Sequence, residues 1–165
     1  MQPLDFCGVT MATGHSGLVA GTTTTHTITT AFSYSVRGKS GLKAAASNIA
    51  AVTTDANTGV AFLGLTANKG CVFVWCVNLA GTTSIVQGPI IGLSGEADGA
   101  NATFNGFAPQ FGDIPITHCP FGYTVVKVGA SGSTWTMGTS NNSSVSNVSI
   151  AFVSLLTLTD RAQVS

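Results

Sequence analysis

The sequence predicts an all-β fold: an antiparallel β-sandwich or jelly-roll-like domain with a flexible N-terminal arm and a long internal loop. Three observations predict it. Apolar and polar residues alternate with period two in several runs, glycine-rich turns separate those runs, and one short run is apolar on both faces. At 165 residues the chain is the size of one domain, or of one domain with an arm, and long enough to bury a core.

Residues 1–21 contain Gly8, Gly14, Gly17 and Gly21 among isolated apolar residues, which reads as an irregular arm; residues 22–165 form the sandwich domain. Residues 24–36 alternate clearly. His26, Ile28, Thr30, Phe32, Tyr34 and Val36 share one face, as in a half-buried strand. Arg37-Gly38-Lys39-Ser40-Gly41 is a turn signal. Residues 42–52 are Ala-rich, but too short and too interrupted by Asn48, Ile49 and Val52 for a stable helix, so extended structure is expected. After a turn at residues 55–59, residues 60–65 and 71–79 read as strands joined through Asn68-Lys69-Gly70.

Cys71-Val72-Phe73-Val74-Trp75-Cys76-Val77 is apolar on both faces, as in a central strand covered on both sides. The cover could come from the chain's own domain or from a partner subunit. Residues 82–87 read as a further strand. Residues 88–121 form a loop with Pro89, Pro109, Pro115 and Pro120, and its Phe104, Phe107 and Phe111 must pack somewhere: on another subunit, or over the chain's own sheet. Residues 123–128 and 133–137 read as a hairpin around Gly129-Ala130-Ser131-Gly132. Residues 145–158 alternate again, with Val148, Ile150, Phe152, Leu156 and Leu158 on one face, before a polar tail.

Charge separates this chain from an ordinary soluble domain. Only 7% of its residues are charged, against about 25% in a typical domain, and six basic residues cancel six acidic ones. Thr, Ser, Asn and Gly must therefore cover most of the surface. Such a surface is easily desolvated against another protein, which favours an oligomer or a lattice-bound subunit. Nucleic acid is not expected, because Arg37, Lys39 and Lys43 are the sole basic cluster. A membrane is not expected either: the apolar run at 71–77 is far short of the roughly 20 residues a spanning helix needs, and residues 1–5 do not open a signal peptide.

The supply of chemistry is poor. Cys7, Cys71, Cys76 and Cys119 lack metal-ligand spacing and read as buried free thiols. His15, His26 and His118 lie outside any nucleophile motif. Glu96-Ala97-Asp98-Gly99-Ala100-Asn101 is only weakly like a calcium loop, with too few charged oxygen ligands. The expectation is a protein that is not an enzyme and holds no cofactor or metal, with a small hydrolase using His15 or His118 as the minor alternative.

Residues 120–128, Pro-Phe-Gly-Tyr-Thr-Val-Val-Lys-Val, are followed by Gly-Ser-Thr-Trp-Thr-Met-Gly-Thr-Ser at 132–140 and by Val-Ser-Asn-Val at 145–148. This third of the chain resembles small structural proteins of tailed phages, the head decoration (cement) and head-fibre proteins, although residues 88–121 are longer than the linkers of that group. The resemblance implies a virion protein on the capsid surface, assembled in the host cytoplasm. It also implies a homotrimer that binds the major capsid protein and bridges capsomers. Phe73, Trp75, Phe104, Phe107 and Phe111 are then the expected interface residues. The alternative is a trimeric tail-fibre or receptor-binding β module, in which Trp135 would stack on a sugar; core packing of Trp135 against the final strand is the simpler reading.

Overall fold

The structure, a computed structural model, describes residues 10–155, and every regular element among them is a strand. They are β1 (Met11–Ala12), β2 (Leu18–Ala20), β3 (Thr25–Ile28), β4 (Phe32–Val36), β5 (Lys39–Lys43), β6 (Ala46–Ala50), β7 (Lys69–Asn78), β8 (Thr83–Gln87), β9 (Ile91–Gly92), β10 (His118–Val128) and β11 (Val148–Ser154). All pairings are antiparallel. The long strands make a five-stranded sheet in the order β11-β10-β7-β8, with β9 also on β7. The short ones make two three-stranded sheets, β1-β4-β5 and β2-β3-β6.

The two small sheets are halves of one bent layer. Met11 faces Ser35, and Leu18 faces Ile28, in the same register on either side of the break. Backbone bonds from Thr13 to Ser33, Thr29 to Gly17 and Thr30 to Ser16 carry the pairing through it. Residues 24–36 are therefore one alternating run, kinked at residues 29–31. His26, Ile28, Phe32, Tyr34 and Val36 all point into the core, and only Thr30 escapes to solvent. The β4–β5 hairpin turns through Arg37 and Gly38, both at positive φ (51° and 77°), a two-residue turn whose twist suits the flanking strands.

This layout corrects the expected arm. Residues 11–20 form the outer strand of the bent layer, with Ala12, Ser16 and Leu18 buried. Ser16 Oγ lies 3.2 Å from Ser154 Oγ, and the Leu18 N–H donates to the same hydroxyl at 2.6 Å, so the start of the layer is tied to the end of β11. Residues 1–9 of the expected arm, with Cys7, lie outside the described residues, as do Leu156, Leu158 and the polar tail.

The main core lies between the two layers. From β7 it takes Cys71, Phe73, Trp75 and Val77, from β10 Cys119, Phe121, Val126 and Val128, and from β4 Phe32, Tyr34 and Val36. Val148, Ile150 and Phe152 of β11 pack against it, while Ala151, Val153 and Leu155 turn to the other face, as the alternation predicts. In β10 the alternation changes phase. Pro120 faces Cys76 but Gly122 faces Trp75, so Phe121 is the extra residue of a β-bulge. Cys119 before the bulge, Phe121 in it, and Thr124, Val126 and Val128 after it consequently share the core face.

Two strand expectations fail locally, and one loop expectation with them. Residues 60–65 make only isolated bridges, Thr54–Ala61 and Leu65–Trp135. Residues 133–137 form no hairpin with β10, whose two neighbours are β7 and β11. The long loop is also shorter than expected at both ends, because β9 and the first four residues of β10 lie within it.

Candidate interaction surface

Residues 93–117 cover the second face of the five-stranded sheet. Their path is set by backbone bonds. Ser94 N–H donates to Thr103 and Asn105 N–H to Gly92, so the segment returns to the end of β9. The Asn105 side chain adds a 2.8 Å bond to the Leu93 carbonyl. Between these points, residues 96–102 dock on the end of β10. The Lys127 amine, almost wholly buried, donates to the Ala102 carbonyl at 2.8 Å and more weakly to Ala100 at 3.5 Å. Burial pushes its pKa down, and nearby Asp98 pulls it back up. Asp98 itself accepts the Ala100 N–H at 2.9 Å, so the weak calcium-like pattern resolves into a turn that serves a lysine.

The three loop phenylalanines divide. Phe104 lies over Gly70, where a Cβ would stand 2.6 Å from its ring, and packs with Val72, Tyr123 and Val125. Phe111 meets Tyr123 edge to face at 5.4 Å. Both are half-buried and cover the chain's own sheet. Phe107, just after Gly106 at φ 79°, is 79% exposed. Phe73 and Trp75 are sealed inside the main core at 0% exposure. The two-sided strand is thus covered by its own domain on both faces, which leaves Phe73 and Trp75 no surface to offer a partner.

Residues 110–116 form a ridge between two grooves. On one side a groove of about 690 Å³ runs between Val60, Leu63, Pro89, Ile90 and Phe111. On the other, an open groove of about 470 Å³ is lined by Thr10, Arg37, Ile114, Pro115, Ile116 and His118. The apolar rims are open: Val60 is 63%, Leu63 65% and Ile116 73% exposed. Sequence reasoning missed Val60, Leu63 and Ile116. Val60 and Leu63 lie in a run whose pattern predicts a strand, and no local signal marks a residue whose neighbours fold away from it.

Asp55 at the first groove is fully committed. Oδ1 accepts from the N–H groups of Asn57 and Thr58 and from the Thr58 hydroxyl, while Oδ2 accepts from Gln87 N–H at 2.7 Å. His15 is exposed, and His118 is half-buried with Thr117 Oγ1 3.0 Å from its Nδ1. Burial lowers the His118 pKa. His26 is enclosed against Trp75, the ring centroids 4.3 Å apart. Cys71, Cys76 and Cys119 are free thiols, all buried, and burial pushes the pKa of Cys71 up to about 12 and of Cys119 to about 11. Among the described residues no group of three His, Cys, Asp or Glu side chains could hold a metal ion. No described helix is long and apolar enough to cross a membrane. Trp135 is buried against Phe73, with its ring N–H on the Asn141 carbonyl at 2.9 Å. What the surface offers is apolar contact area beside a few charges, Asp55 and Asp113 at one groove and Arg37 at the other.

No family model, curated protein or solved structure matches the chain.

Proposed function

We propose that the chain is a capsid decoration protein: a non-enzymatic subunit that binds the outside of an icosahedral phage capsid, with the major capsid protein as partner, and stabilises it by bridging capsomers. The observation that carries this reading is the set of apolar side chains left open at the two grooves, Val60 and Leu63 at one and Ile116 at the other, with Phe107 exposed on the same long loop, each well over half exposed on a chain with few charges. Exposed apolar side chains gathered at a groove are what a protein partner covers. The resemblance of residues 120–148 to phage head proteins supplies the class of partner. Contact of this kind needs area and shape, and it needs no ionic group.

The test is binding to phage heads that lack the protein. Wild-type chain added to such heads should co-sediment at a fixed number of copies per shell and raise the temperature at which the shells open. The pair Phe107→Ser and Ile116→Ser should fold normally and lose most of that binding. Equal binding by the double variant, or no binding by the wild type, would remove the proposal. The tail-fibre alternative has lost its best residue, because the Trp135 ring is unavailable for sugar stacking.

A further inference from the structure

The five-stranded sheet treats its two edges differently. At β8 the outward groups are occupied: the Ile85 carbonyl accepts from Ala56 N–H at 2.8 Å, and Gln87 N–H donates to the Asp55 carboxylate. The edge is closed by a turn of the chain itself. At β11 nothing comparable occurs among the described residues. Its seven residues pair with β10 in unbroken register, from Ser154 opposite Gly122 to Val148 opposite Val128. Leu155 N–H donates to Phe121, which fixes the phase of the ladder. Val153, Ala151 and Ser149 bond towards β10, and the N–H and C=O groups of Ile150 and Phe152 point away from it.

Among the described residues those outward groups meet no partner. The flanks are occupied, by Val145 on the Val148 N–H and by Leu18 on the Ser154 hydroxyl, but the middle is open. Every residue of β11 is half-buried. The strand also carries none of the devices that normally blunt an edge: no lysine, no proline, no bulge and no charge of any kind.

We propose that the free edge of β11 is a self-association site, at which a second copy of the chain adds its own β11 antiparallel across a twofold axis at Ala151. The phase of the ladder selects this register. Ile150 of each copy exchanges both backbone bonds with Phe152 of the other, and Ala151 faces Ala151 as the non-bonded pair between them. Side chains approach most closely at such a pair, and alanine is the residue that leaves room there. Ser149 then faces Val153, so like charges meet nowhere along the seam. The contact is isologous and joins two five-stranded sheets into one. It requires no capsid and stands apart from the decoration reading. It builds pairs, whereas the homotrimer implied by the resemblance would need a different contact.

The full chain is measured by light scattering over a range of concentrations, and amide exchange is followed at Ile150 and Phe152. The expected result is a dimer, with those two amides exchanging on the order of tenfold or more slowly at high than at low concentration. Ala151→Lys, which sets two ammonium groups against each other at the axis, should give a monomer with unchanged tryptophan fluorescence. Because the exchange measurement uses the wild-type chain, the test survives a variant that fails to fold. A monomer at every concentration would overturn the proposal, whether those amides are free or covered by residues 156–165. A trimer or dimer whose Ile150 and Phe152 amides exchange freely would overturn it equally.

Discussion

The indole nitrogen of Trp75 donates to the hydroxyl of Thr124 at 2.7 Å, with both side chains at 0% exposure. The bond exists because of the bulge at Phe121. Without the extra residue, Thr124 would point to the loop side and Tyr123 would crowd the indole. A threonine in the core is thus the mate that a buried tryptophan requires. Thr124→Val keeps the shape and removes the acceptor. It should cost about 1–3 kcal/mol, the penalty of an unmet buried donor, whereas Thr124→Ser should restore most of it. Chemical denaturation of the three proteins measures the difference.

Acid should weaken the fold through His26. Its ring is fully buried, and neither nitrogen reaches a hydrogen-bond partner among the described residues. Burial, and then the positive charge of Lys43, lower its pKa from 6.5 to about 4; the Ile49 backbone opposes the shift without reaching bonding geometry. The unfolded chain binds this proton more readily than the folded one, so stability is complete above pH 6.5 and falls as pH drops towards 4. The loss is on the order of 3 kcal/mol over that window. His26→Phe should flatten this part of the stability profile and leave neutral stability equal or higher.

Asp55 closes the β8 edge with four accepted hydrogen bonds. Asp55→Ala should destabilise by about 1–3 kcal/mol, since several part-buried donors lose their carboxylate acceptor together. It should also expose the β8 edge, which turbidity on mild heating would report as faster aggregation than in a comparably destabilised core variant.

Two phenylalanines four residues apart should behave oppositely. Phe107→Ser should change stability little, within about 0.5 kcal/mol, because most of its ring is exposed. Phe111→Ala should cost about 1–3 kcal/mol, as it uncovers Tyr123 and opens the larger groove. Thermal melts of the two variants side by side decide this.

The alternating runs were legible because period two reports a face wherever a strand stays regular. His26, Ile28, Phe32, Tyr34 and Val36 read correctly even across the kink, since the kink preserves which side is inward. Residues 11–20 did not read as strand. Their pairs are short and interrupted by Gly14 and Gly17, and their order comes from partners far along the chain. The bulge in β10 was invisible for a related reason: Pro120 looked like the end of a loop, and only the register against β7 shows it inside a strand. The loop phenylalanines carried one signal for two fates. Sequence placed Phe104, Phe107 and Phe111 together, and only the glycine beneath Phe104 and the tyrosine beside Phe111 separate them from Phe107.

The tie between Ser16 and Ser154 sets an order of events during synthesis. A chain emerging N-terminus first presents β7 long before β10, its central neighbour, has been made. At about 5–20 residues per second, the interval from Val77 to Cys119 lasts roughly 2 to 8 seconds, with an apolar run uncovered throughout. The bent layer has all its strands by then, but its anchor on Ser154 arrives only with the last strand. A nascent chain stalled before β11 would hold every other piece of the sandwich and still lack the fastener. Premature termination in the last tenth of the described chain should therefore yield insoluble product rather than a trimmed, working domain.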